Sequence, residues 1–232
     1  MGVSGLIYRI MEKRNIMKLI KRYLVFVLIC ICSLLACSCN KSKDKDYIDL
    51  NNGESGITIK GKKVIYQIKE EFNKDYYNKD DIEKQVEDEV DEFVRLKGKD
   101  SAELEEFEVE DNSCHVVIVF AGMDKFCDYV NECEKPIEDF HIFKGKYGDI
   151  DREVFGEGEN LIDAKVATKA EFEEDVPVNS KITAVDSDTK VLVLNKVLKV
   201  KTEDDIKAVS MGVVVKDNIA ATNGDMCYIV YK

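Results

Sequence analysis

Four cysteines, Cys114, Cys127, Cys133 and Cys227, carry the most versatile chemistry in the body of this chain. Thiols can cross-link, ligate a metal or attack an electrophile. Four of them allow three disulfide pairings, and their spacing does not rank these. Cys127 and Cys133 lie six apart, about 240° around an α-helix, so a bridge between them requires the helix to end near Asn131, which Pro136 would permit. Cys114 also suits a buried strand as a small apolar side chain. Zinc is disfavoured because there is no Cys-x-x-Cys, and the adjacent Cys114 and His115 would point to opposite faces of a sheet. Cys127 with His141 has the residue types of a nucleophile and base, but no cysteine-hydrolase signature surrounds either.

The second group of chemical side chains is acidic. Asp149, Asp151 and Glu153 alternate like the opening of an EF-hand calcium loop, with Glu157 and Glu159 after them. The sixth position is Val154 instead of glycine and Asn160 replaces the closing bidentate acid, so a solvated acidic loop is the better expectation and no metal is assigned. Gly156-Glu157-Gly158 does not serve phosphate either, because flanking acids repel it. Lys60-Gly61-Lys62-Lys63 is a basic cluster whose simplest home is a strand-turn-strand. Tyr66, Phe72, Tyr76 and Tyr77 have the types that line a sugar or peptide groove, although a core role is favoured.

Regular elements must position these groups. Ile57–Ile59 and Val64–Ile68 are β-rich around Gly61, as in a hairpin or a broken strand. Asn78 can cap a helix in which Ile82, Val86, Val90, Phe93 and Val94 recur at helical spacing, while Glu83, Glu87, Asp88, Asp91 and Glu92 form a solvated face. Gly98 ends it. Leu104, Phe107 and Val109 alternate loosely, Cys114–Phe120 reads as a buried central strand, and Asp124 caps a short helix.

Beyond Ile137, β-prone pieces cover Phe140–Phe143, Lys165–Ala167, Lys181–Val185, Val191–Leu194, Val197–Val200, Val213–Val215 and Cys227–Tyr231. Asp186-Ser187-Asp188 and Asn223-Gly224-Asp225 supply turns, and Thr202–Ala208 could open one more short helix. The expected fold class is α+β, with an N-terminal strand-helix-strand-strand-helix half and an antiparallel β-rich C-terminal half. A sub-boundary near residue 135 would separate the two halves.

The first 36 residues read differently. Lys18, Lys21 and Arg22 precede an apolar run from Tyr23 to Ala36, the pattern of an export signal. Leu24 to Ala36 is 13 residues, whereas a spanning helix needs about 20. The segment Leu34-Leu35-Ala36-Cys37 resembles the lipobox of bacterial lipoproteins. That resemblance implies a diacylglycerol group on Cys37 as the one covalent addition, no other cofactor, and a location on the outer face of the cell membrane. Two acyl chains hold a soluble body far better than one. Met17 reads as a natural start, and a myristoylation motif fails at Leu6. Residues 37–56 are expected to be a flexible tether and 57–232 a single extracytoplasmic domain.

The whole chain carries 34 basic and 46 acidic residues. Removing residues 1–36 takes away six basic and one acidic residue, so the formal net charge moves from −12 to −17. Such a balance argues against nucleic acid and against adsorption on an anionic membrane surface, and leaves cations, basic peptides or neutral ligands as partners, with a protein, peptide or glycan as the expected ligand. Tyr76-Tyr77-Asn78-Lys79-Asp80-Asp81-Ile82-Glu83 and the terminal Tyr228-Ile229-Val230-Tyr231-Lys232 resemble segments of short lipoproteins of Gram-positive anaerobes. The resemblance brings no active-site motif. The expected function is therefore non-catalytic binding at the cell surface, with an envelope hydrolase using paired carboxylates as the alternative and a solute-binding component of a transporter behind it.

Overall fold

The computed structural model describes residues 47–232 apart from 75–76, 135, 137–138, 159, 169–180 and 183. The export segment, Met17, Cys37 and Tyr76 lie outside the described residues. Among the described residues no helix is long and apolar enough to cross a membrane.

The chain opens with a hairpin, β1 (Glu54–Lys60) and β2 (Lys63–Glu71), turned tightly at Gly61, whose φ of +56° suits a residue without a Cβ. Helix α1 (Lys79–Lys97) follows. Asn78 accepts from the Asp80 N–H at 2.8 Å, and Gly98, at φ +105°, closes the last turn on the Val94 carbonyl at 2.9 Å. The apolar stripe Ile82, Val86, Val90 and Phe93 is buried as its spacing requires. Glu83 is an exception: expected on the solvated face, it is only 8% exposed at the edge of that stripe.

A second hairpin, β3 (Ala102–Glu110) and β4 (Ser113–Phe120), turns at Asp111 and Asn112, both with positive φ. Helix α2 (Met123–Tyr129) comes next and runs into a single π-helical turn, Val130–Glu134. The opening order is therefore strand, strand, helix, strand, strand, helix. The expected order lacked one strand because Gly61 reads equally as a break or a turn.

The rest is short strands: β5 (Ile142–Lys146), β6 (Leu161–Asp163), β7 (Lys181–Ile182), β8 (Lys190–Leu194), β9 (Lys199–Lys201), β10 (Ile206–Ser210), β11 (Val214–Lys216), β12 (Ile219–Ala221) and β13 (Cys227–Tyr231). A four-residue helix, α3 (Arg152–Phe155), interrupts them. They do not form a separate half. The first sheet runs β11-β12-β9-β1-β2-β4-β3, with β9 parallel to β1, and the second runs β5-β8-β13-β10-β6-β7 with antiparallel pairs. C-terminal strands complete the sheet begun by the first hairpin.

Period-two alternation assigns each face. In β8, Leu192 and Leu194 join Ile57, Ile59 and Val64 in one core, while Val191 and Val193 face a second cluster with Val230 and Tyr228. Three further expectations are corrected. Residues 202–208 are not a helix: Thr202 Oγ1 donates to the Asp204 carbonyl at 2.6 Å, and alternation from Ile206 builds β10. Residues 165–167 form a turn on Asp163 in place of a strand. Residues 47–56 are not tether: Ile48 and Leu50 are buried, Gln67 grips the Ile48 backbone in both directions at 2.8 and 3.2 Å, and β1 starts at Glu54.

Candidate functional site

Between α1, the α2–π segment and one face of the first sheet lies a cavity of about 880 Å³. Alternation places its floor: Tyr66 and Ile68 from β2, Cys114 and Val116 from β4. Phe72 and Tyr77, whose rings pack 5.2 Å apart, form one wall, and Glu70, Glu71 and Lys74 belong to the same end. Asn195 and Val197, the latter 64% exposed, also line it. The size falls within the range of small-molecule sites.

The π-helical turn decides what faces the cavity. In a continuous α-helix Glu134 would sit about 140° from Tyr129. With i→i+5 winding, the fourth and fifth residues flank the first, and Tyr129, Cys133 and Glu134 all line the cavity. Glu134 then anchors a network. Its Oε1 accepts from the Tyr66 hydroxyl at 2.6 Å and its Oε2 is paired with the Lys196 ammonium. Tyr129 donates to Glu89 Oε1 at 2.6 Å. Burial, then the charge of Glu134, holds the Tyr66 phenol well above its ordinary pKa, and burial followed by Glu89 does the same for Tyr129. Both phenols remain donors at any physiological pH.

Glu70 behaves differently from Glu134. Burial and the adjacent Glu71 raise its pKa, so here the charged carboxylate is disfavoured. Glu54, at the β1 edge of the cavity, is paired with Lys199 at 2.6 Å.

The residues singled out from sequence are dispersed. Cys114 and Cys133 reach the cavity, while Cys127 and Cys227 do not line it. No disulfide joins the four. Cys127 Sγ donates to the Phe140 carbonyl at 3.2 Å, Cys227 Sγ to Asn223 Oδ1 at 3.1 Å, and burial pushes both thiols up, away from the reactive thiolate. His141 packs its ring edge-on to Phe155, so nothing activates Cys127 through it. His115 lies on the sheet face opposite Cys114, against Tyr47, with Glu106 3.8 Å from Nδ1. Asp151 spends its carboxylate capping α3, accepting from the Glu153 N–H at 3.0 Å, and Asp149 ends a 3₁₀ turn. Among the described residues no three His, Cys, Asp or Glu side chains are grouped to hold a metal. Of the aromatic residues, Tyr66, Phe72 and Tyr77 serve both core and cavity.

Glu89, Glu134 and Lys196 were missed from sequence. Their only signals were an acidic helix face and a loop lysine, which many solvated surfaces share. No protein-family model, curated protein or solved structure matches this chain.

Proposed function

We propose that this protein is a lipid-anchored, extracytoplasmic binding protein that holds a small ligand in the cavity above β2 and β4. The observation that carries the binding role is the cavity itself, apolar at its base and furnished with a few fixed polar groups. Tyr66, Glu134 and Lys196 satisfy one another, which keeps the wall shaped before a ligand arrives. The anchoring rests on the Leu34–Cys37 segment and its resemblance to a lipobox.

Hydrolysis by paired acids finds some support in Glu89 and Glu134, which both act electrostatically on Tyr129. Each carboxylate, however, is occupied as a hydrogen-bond acceptor, and binding fits that arrangement better than proton donation.

A neutral environment-sensitive dye such as N-phenyl-1-naphthylamine should brighten on the protein. Val116→Trp, which fills the cavity from its floor, should abolish that signal while the fold survives. Equal dye binding by the variant would refute the cavity as the site. Cys37→Ser should block incorporation of a labelled fatty acid and release the chain from membranes; unchanged labelling would refute the anchor.

A further inference from the structure

We propose that the ligand is an organic cation, a protonated amine carried on an apolar or aromatic body, seated with its ammonium group at the Glu70–Glu71 end of the cavity. The inference rests on the reading of the cavity as a ligand site. Three observations support it.

The charges around the cavity are unevenly matched. Glu54 and Glu134 are neutralised by Lys199 and Lys196. Glu70 and Glu71 have no cationic partner among the described residues, and Glu71 accepts only from the Asn73 amide at 2.9 Å. Lys74 is the remaining cation at that end. Two carboxylates against one ammonium favour an incoming positive charge and repel an anion, and the strongly acidic chain adds to that bias at longer range.

Glu70 already bears the cost of this arrangement. Partial burial and the neighbouring Glu71 make its charged form unfavourable, and a cation beside it would offset the repulsion from Glu71.

The rest of the lining suits the remainder of such a molecule. Ile68 and Val116 provide an apolar floor, and the paired rings of Phe72 and Tyr77 offer π-faces to an alkylammonium group. The hydroxyls of Tyr66 and Tyr129 are committed to Glu134 and Glu89, so they fix the lining without adding positive character.

The test uses the chain from Cys37 onward, prepared with Cys37→Ser to keep it in solution, and three probes with one skeleton: 4-phenylbutylamine, 4-phenylbutanol and 4-phenylbutyrate. Calorimetric titration at neutral pH should rank the amine first, the alcohol second and the carboxylate last. In Glu70→Gln/Glu71→Gln the amine should weaken about three- to fivefold, the scale of partly exposed charge contacts, and the alcohol should not change. An alcohol or carboxylate that binds as tightly as the amine would overturn the cation and leave the cavity reading standing. An equal loss for amine and alcohol in the double variant would overturn it as well. Failure of all three probes would overturn the cation inference, and the dye and Val116→Trp measurements would then decide separately whether the cavity binds anything.

Discussion

Two faces of this molecule use the same materials, aromatic rings and charges over a sheet, to opposite ends. On the outer face of the second sheet, Arg152 lies 4.6 Å over the Tyr147 ring and donates to the carbonyls of Tyr147 and Glu157. Tyr228 donates to the carbonyls of Phe155 and Gly156, and Gly158, at φ +66°, packs so closely that a Cβ there would meet the Tyr228 ring at 2.5 Å. The polar atoms find partners inside the cluster and the face is closed. On the helix-bearing face of the first sheet, α1 and the α2–π segment leave a gap, and the acids of Glu70 and Glu71 remain uncompensated at its edge. Closure requires small residues and local carbonyls. A gap results where a long helix, α1, and a short one that runs into a π turn set the wall positions.

The largest effect is expected in the aromatic core shared by β4, α1 and α2. Phe120 is fully buried against Phe93, Phe126 and Tyr129, and Phe120→Ala should cost about 3–5 kcal/mol in urea unfolding. A loss below about 1 kcal/mol would mean that this aromatic core does not hold the helices.

The closed face should respond next. Arg152→Ala removes ring contacts to Tyr147 and Tyr228 and three hydrogen bonds and should cost about 1–3 kcal/mol while leaving dye binding at the cavity unchanged. Arg152→Lys should recover only part of this, since an ammonium cannot span both carbonyls as the planar fork does. A change in dye affinity would show that the two faces are coupled.

A smaller effect belongs to the cavity wall. Tyr66→Phe removes the donor to Glu134 and should cost about 1–2 kcal/mol. It should also change the alkaline limb of stability. The folded pKa of Tyr66 is raised, so the stability linked to its proton is complete below the ordinary value of 10.0 and is lost as pH rises through the folded value. Melting temperatures followed above that pH should fall less steeply in the variant.

The smallest effect is expected at Glu70. Glu70 also has a raised pKa, so the folded state holds its proton more tightly and stability declines as pH rises through the folded value. Glu70→Gln should therefore stabilise the unliganded protein at neutral pH by less than about 1 kcal/mol, because the side chain stands at an exposed edge. The gain should vanish below the ordinary value of 4.5, where both states bind the proton.

Elements with a local cause were legible before folding was considered. Asn78, Gly98 and the stripe from Ile82 to Phe93 announce α1, since cap and period are properties of neighbouring residues. The alternation of Cys114–Phe120 placed Cys114 and His115 on opposite faces, as observed. Short strands were less legible: Thr202–Ala208, which overlaps β10, reads as a helix and Ile219–Ala221 is not distinguished, because three to five residues carry too few periods to separate the two patterns.

The amino-acid order by itself determined the amphipathic helix, the alternating strands and the turn residues, which depend on spacing along the chain, and composition alone set the acidic charge balance. Tertiary structure alone decided that β9 would lie beside β1 and that Ile48 would cover the first sheet. It also decided that Tyr66, Glu89, Glu134 and Lys196 would meet around one cavity. Those contacts join residues up to about 150 positions apart, as from Asp49 to Lys199. Their energy comes from burial and pairing that exist only once the sheets are stacked, so no local pattern encodes them.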